Sequence, residues 1–157
     1  MKTLRAFFML GLTALVASVA SAQPADVGLG SWKLNVEKSK FSPGPAPKSV
    51  TTRFEPAGKA VKWSSERVDA EGKSFLAEYT GEYDGKDHPL TGSPTADTVS
   101  LRRIDALTTE RINKKGGKVV STETRTVAKD GKGYTTTVKG TTAKGEPIDH
   151  VMVFDKS

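Results

Sequence analysis

The sequence has no cysteine and only two histidines in 157 residues, and both scarcities exclude common kinds of chemistry. Without cysteine, no disulfide can hold the fold together, so packing and hydrogen bonds must suffice. His88 and His150 lie far apart, and neither belongs to a His-x-x-His or His-Glu-x-x-His pattern that would hold a metal ion. The sequence also has no Gly-x-Ser-x-Gly nucleophile motif and no glycine-rich phosphate loop. We therefore expect no catalytic activity and no metal or other cofactor.

A long apolar run occurs only at the amino terminus. Residues 1–22 combine a positively charged start, an apolar run and the small residues Ala20-Ser21-Ala22, an order that predicts a secretory signal peptide cleaved before Gln23. The apolar run is about 14 residues long, whereas a helix needs roughly 20 to span a bilayer. We therefore expect a periplasmic or secreted protein whose single domain covers residues 23–157 and contains no integral membrane segment.

The charge is positive but dispersed. The formal net charge is +6, and loss of the signal peptide lowers it to +4 because Lys2 and Arg5 leave without any acidic residue. The remaining lysines are scattered, mostly in predicted turns, and form no dense basic stripe of the kind that binds nucleic acid. We interpret them as solubilising surface charge and expect no nucleic-acid partner.

Glycines recur with a spacing that is typical of β-hairpins. Gly-Lys pairs stand at 58/59, 72/73, 85/86, 117/118 and 131/132, and Lys144-Gly145 continues the series in reverse order. A period of about 14 residues matches one strand of roughly 10 plus a tight turn, in which glycine supplies the positive φ. The segments between these turns are rich in threonine, valine and aromatic residues, which favour strands.

This pattern predicts an all-β fold, a single antiparallel up-and-down β-barrel of about 8–10 strands, because closure removes exposed sheet edges. A proline-rich loop covers residues 41–47, one helical turn is possible over 36–40, and an extra loop is expected over 87–97. The predicted strands cover residues 30–35, 50–55, 61–68, 74–83, 98–104, 107–113, 118–128, 134–142 and 148–154.

Period-two alternation assigns side chains to the inner face, and several of them are charged. Arg67, Arg103, Arg111, Glu123 and Arg125 share faces with apolar residues of their strands. An unpaired buried charge costs several kcal/mol, so two interpretations stay open. Either these residues lie at the rim in water, or the barrel has a roomy, partly polar interior in which arginine meets glutamate or an anionic ligand group.

The two ends of the predicted domain carry a resemblance to known barrels. Gly30-Ser31-Trp32-Lys33-Leu34 resembles the Gly-x-Trp opening of lipocalins and the Gly-x-Trp-x-Leu opening of fatty-acid-binding proteins, both of the calycin group. The stretch 149–156 is similar to the last strand of a fatty-acid-binding protein, and the chain resembles small exported bacterial proteins with a lipocalin-like core. The resemblance implies a β-barrel in which Trp32 packs at the closed end and the interior binds a small molecule.

One feature of the fatty-acid binders is missing. Their last strand carries an Arg-x-Tyr pair that holds the ligand carboxylate, whereas this chain has Met152-Val153-Phe154, and their helical lid has no counterpart here. We therefore expect a small apolar or amphipathic ligand, and any carboxylate contact would fall to neighbouring strands. The predicted ligand-binding residues are Trp63, Phe75, Tyr79, Arg103, Arg111, Arg125, His150, Met152 and Phe154.

Other functions are also compatible with the sequence. The loop over 87–97 could be the contact of a protein-binding module, such as an envelope stress factor or an inhibitor of a hydrolase. His150 shares the predicted inner face with Met152 and Phe154, and some calycin barrels bind haem through a single histidine. An isomerase or lyase would require His150 or a glutamate to face a cavity with a perturbed pKa.

Overall fold

The computed structural model describes residues 26–157, and β-strands make up most of this part of the chain. The predicted signal peptide lies outside the described residues. Ten strands follow one another as β1 (Gly30–Lys40), β2 (Ser49–Ala57), β3 (Ala60–Val68), β4 (Ser74–Gly81), β5 (Asp84–Thr91), β6 (Thr98–Arg103), β7 (Thr108–Lys115), β8 (Lys118–Val127), β9 (Gly133–Thr141) and β10 (Pro147–Lys156). Among residues 26–157, no helix is long and apolar enough to cross a membrane.

The strands form one closed antiparallel barrel. Each strand pairs with its neighbours in sequence, and β1 pairs with β10 to complete the ring. Every strand therefore has two partners, and the sheet has no unprotected edge. The prediction of an up-and-down barrel of 8–10 strands is confirmed, and this architecture is the one that the resemblance to calycin barrels implies.

The predicted strands match nine of the ten, and the tenth was missed. Residues 84–91 make up β5, although residues 87–91 were expected to belong to a loop. The prediction was wrong because this segment contains Gly85 and Pro89 and has little apolar character. β5 pairs with β4 through only Glu78↔Thr91 and Tyr79↔Leu90, so few ladder hydrogen bonds depend on it.

The first strand is longer than expected. Residues 36–40, where one helical turn was considered, belong to β1, although the pairing with β10 shifts between Asn35 and Lys40. Ser39 Oγ fills the interruption by donating to the Asn35 carbonyl oxygen and accepting from the Val153 N–H. A side chain thus satisfies backbone groups that the ladder leaves unpaired.

The barrel has two different ends. At the closed end, where β1 begins and β10 finishes, the fully buried Trp32 packs edge-on against Tyr134, with ring centroids 5.0 Å apart. Tyr134 in turn stacks on Phe154 at 4.5 Å and contacts Phe54. At the open end, longer connections surround the mouth of the barrel, namely residues 41–48, 69–73, 92–97 and 142–146. Aromatic rings therefore fill the closed end, whereas smaller buried residues such as Val50, Leu90 and Ala96 lie towards the open end and border a cavity.

Candidate functional site

A cavity of about 460 Å³ lies inside the barrel. Inward-facing side chains of β2, β3 and β4 line one side, those of β7 to β10 line the other, and residues 92–96 line part of the mouth. The loop is held close to β4 at Gly92, whose φ is +73°. A Cβ at this position would lie 1.8 Å from the Leu76 carbonyl oxygen, so only glycine fits.

Eight of the nine residues predicted to bind ligand line this cavity. They are Trp63, Phe75, Tyr79, Arg111, Arg125, His150, Met152 and Phe154. Arg103 lies elsewhere: at the closed end its guanidinium donates to Asp26 Oδ2 at 2.8 Å and stacks over the Tyr83 ring at 4.5 Å. Its side chain is 38% exposed. The two interpretations of the inward arginines thus apply to different residues, since Arg103 is at the rim and Arg111 is inside.

The centre of the cavity wall is an ion pair. Arg111 Nη2 on β7 donates to Glu123 Oε1 on β8 at 2.6 Å, and the two residues are direct cross-strand partners. Asn113 Nδ2 donates to the same oxygen at 2.8 Å and to Ser121 Oγ at 2.9 Å. Burial alone would lower the pKa of Arg111, but attraction to Glu123 outweighs it and raises the pKa. The guanidinium therefore stays charged inside the barrel.

The same arginine crosses the barrel to an aromatic pair. Its guanidinium carbon lies 4.3 Å from the centre of the Trp63 ring, although β7 and β3 are not neighbours in the sheet. Trp63 and Tyr79 are cross-strand partners whose rings stack at 5.0 Å and 20°. Burial raises the pKa of Tyr79 to about 12, so its phenol is neutral at physiological pH. Cation–π contact and ion pairing together fix Arg111.

Arg125 is inside the barrel as well, but its contacts belong to the closed end. Its guanidinium carbon lies 3.9 Å from the centre of the Phe54 ring and 5.6 Å from that of Tyr134. It also donates to the carbonyl oxygen of Gly28 and to Thr109 Oγ1, both at 3.4 Å. The arginine thereby ties the segment before β1 across the floor of the barrel.

His150 stands at the mouth. Its Nδ1 accepts the Ser42 N–H at 3.0 Å, and its ring lies against Phe41 at a centroid distance of 5.4 Å. The Asp149 N–H donates to the Ser42 carbonyl oxygen at 2.7 Å, so β10 holds the proline-rich connection at two points. Burial, followed by the charge of Arg67, lowers the pKa of His150, and the neutral imidazole is favoured.

Many polar residues of the cavity were not among the predicted binding residues, and three of them matter most for its chemistry. Asn113, Ser121 and Glu123 form the hydrogen-bonded group around Arg111. Alternation had already placed Glu123 on the inner face, and this was the available signal. What could not be read was the register that sets Glu123 opposite Arg111. Among residues 26–157, no group of three or more histidine, aspartate or glutamate side chains is arranged to hold a metal ion.

Comparisons with known proteins identify no family. No family model matches the chain, and no curated protein is similar to it in sequence. Among solved structures, it is similar to one described as the siderocalin Ex-FABP, which functions through dual ligand specificities. The two chains are 10% identical over 85% of this chain and 75% of the other, with a TM-score of 0.37.

Proposed function

We propose that this protein is an exported barrel that binds a small apolar or amphipathic molecule in its interior and performs no covalent chemistry on it. The supporting observation is the cavity of about 460 Å³ inside a closed sheet. Protein interiors are close-packed, with few voids larger than a water molecule. A space of this size falls in the range of small-molecule sites, so a binding role explains it better than packing does.

The composition of the walls supports this class of ligand. Phe75, Ala77, Val138, Ile148 and Met152 present apolar surface to the cavity. Transfer of about 200 Å² of apolar ligand surface from water would contribute roughly 5 kcal/mol before the costs of association. The lining also contains many polar side chains, among them Arg111, Asn113 and Glu123, which can form hydrogen bonds with the polar part of an amphipathic ligand.

A fluorescence titration tests the proposal. N-phenyl-1-naphthylamine is uncharged and fluoresces in apolar surroundings, and we expect saturable binding with one site per chain. Ala77→Phe places a ring in the cavity and should weaken binding at least ten-fold. Thr80→Phe adds the same ring on the exposed outer side of β4 and should leave the affinity within two-fold. Absence of saturable binding, or equal effects of the two variants with intact circular dichroism, would reject the proposal.

Export is the second part of the proposal, and it is supported by the order of charged, apolar and small residues over 1–22. Expression of the full chain in a bacterium with an outer membrane should yield protein in the periplasm or medium. Its intact mass should correspond to a chain beginning at Gln23. Recovery of the unprocessed chain from the cytoplasm alone would reject export without affecting ligand binding.

A further inference from the structure

Building on the proposed function, we propose that the cavity selects an amphiphile with an uncharged head group that both donates and accepts hydrogen bonds, such as an alcohol or an amide, and disfavours a carboxylate. The proposal rests on how the polar groups around Arg111 use their hydrogen-bonding capacity.

The positive charge in the cavity wall already has a partner. Glu123 lies 2.6 Å from Arg111, and both side chains are mostly buried. A ligand carboxylate at Arg111 would therefore approach the carboxylate of Glu123 or displace it. Like charges at close range in a poorly solvated site repel strongly, so an anionic head gains little at this arginine.

The group nevertheless has unused hydrogen-bonding capacity. Within residues 26–157, Glu123 Oε2 and Asn113 Oδ1 accept no hydrogen bond, and the Nη atoms of Arg111 keep free N–H groups beyond those that face Glu123 and the hydroxyl of Tyr79. Arg111 Nε is fully buried without a partner, whereas the two acceptor oxygens and the Nη atoms are not fully buried. Their residues line the cavity. The wall thus offers two acceptors and one donor to whatever enters.

An uncharged polar head matches this arrangement. A hydroxyl or an amide can donate to Glu123 or Asn113 and accept from Arg111. A carboxylate only accepts, so it would leave both acceptors facing an anion. Buried polar groups without partners typically cost 1–3 kcal/mol each, which is enough to discriminate between two ligands with the same apolar body.

The other arginines near the cavity do not offer an equivalent anion site. Arg125 is buried, lies over the Phe54 ring and already donates to Thr109 and to the Gly28 carbonyl oxygen. Arg67 lines the mouth but is exposed to solvent. A charge pair in water contributes little, so an anion at Arg67 would gain less than an uncharged head gains inside.

A pair of probes with the same hydrocarbon body tests the inference. Cis-parinaric acid and the corresponding primary alcohol are both fluorescent, and at about pH 8 the acid is ionised. We expect the alcohol to bind at least ten-fold more tightly than the acid. Glu123→Gln removes the competing anion and leaves the charge of Arg111. It should therefore improve binding of the acid at least ten-fold and reduce or reverse the preference of the protein for the alcohol over the acid.

Two further variants separate charge from damage to the fold. Glu66→Gln makes the same chemical change on the exposed outer side of β3 and should leave the ratio of affinities unchanged. The double variant Arg111→Gln, Glu123→Gln has no charge at this position, and it should bind the alcohol without gaining affinity for the acid. Thermal unfolding of each variant shows whether the barrel is intact.

The outcomes distinguish this inference from the proposed function. Tighter binding of the acid by the unaltered protein, or an unchanged ratio in folded Glu123→Gln, would overturn the head-group inference. If N-phenyl-1-naphthylamine binds but the protein binds the alcohol no more tightly than the acid, the head-group inference is wrong and the proposed ligand-binding function stands. If none of the probes binds, the proposed function itself is wrong.

Discussion

The closed end and the open half of this barrel use arginine in opposite ways. At the closed end, Arg125 is covered by two aromatic rings and donates to Thr109 and to the Gly28 carbonyl oxygen. In the cavity wall, Arg111 also has an aromatic neighbour and an acceptor, but within residues 26–157 its Nε is buried without a partner, and Glu123 Oε2 and Asn113 Oδ1 accept no hydrogen bond. Satisfied polar groups rigidify a structure, whereas accessible unsatisfied ones can bind something else. We therefore expect the closed end to contribute mainly to stability and the open half to ligand binding.

The segment before β1 strengthens this contrast. Asp26 accepts hydrogen bonds from Arg103 at 2.8 Å and from the Gly28 N–H at 2.9 Å. Burial opposes ionisation of Asp26, but these hydrogen bonds outweigh it and lower the pKa of the carboxyl. The ion pair between Asp26 and Arg103 holds the segment before β1 against the closed end of the barrel. Within residues 26–157, the proline-rich connection at the mouth forms no comparable ion pair and is held by neutral hydrogen bonds to Asp149 and His150.

The largest expected effect is the loss of stability on truncating the closed-end core. Trp32 is fully buried, and Trp32→Ala should lower the free energy of unfolding by about 3–5 kcal/mol in urea denaturation. Phe75 lines the cavity and is only half-buried, so Phe75→Ala should cost clearly less while weakening binding of N-phenyl-1-naphthylamine. Similar losses of stability in the two variants would contradict the proposal that the closed end contributes stability and the open half binds ligand.

Much of the fold was predictable because it depends on local signals. Turn glycines and alternation located nine of the ten strands and placed Trp63, Tyr79 and His150 on the inner face. β5 was missed because its strand character depends on pairing with β6, for example Asp87↔Ser100, and not on its own composition. A strand that is stabilised mainly by pairing with its neighbours has only a weak signal in its own amino-acid composition.

The site was predictable only in part, because its polar contacts depend on closure of the barrel. Alternation places Arg111 inside, but its contact with Trp63 joins strands that are not neighbours in the sheet. The ion pair with Glu123 likewise depends on a register that a one-residue slip would destroy. The identity of the inner residues was therefore accessible from sequence, whereas their pairing was not.

The smallest expected effect concerns the mouth and its dependence on pH. Only a neutral Nδ1 of His150 can accept the Ser42 N–H. Burial and the charge of Arg67 on β3 lower the pKa of His150, while Asp149 on β10 and Glu123 on β8 oppose this shift. When the pH falls below about 6.5, the ordinary histidine value, an opened mouth binds a proton that the closed mouth does not. The contact is therefore fully effective above that pH and is lost as the pH falls through the lowered pKa.

Hydrogen exchange of the Ser42 amide measures this effect. Relative to its intrinsic exchange rate, the amide should exchange roughly three- to ten-fold faster at about pH 5.5 than at about pH 7.5, because one hydrogen bond contributes about 1 kcal/mol. His150→Phe removes the acceptor and should make the exchange fast at both pH values. The Gly145 amide, which donates to the Thr142 carbonyl oxygen at the same end, serves as the reference. If exchange of the Ser42 amide still depends on pH in His150→Phe, a group other than His150 controls the mouth. The contrast between the neutral contacts of the mouth and the Asp26–Arg103 ion pair would then be wrong.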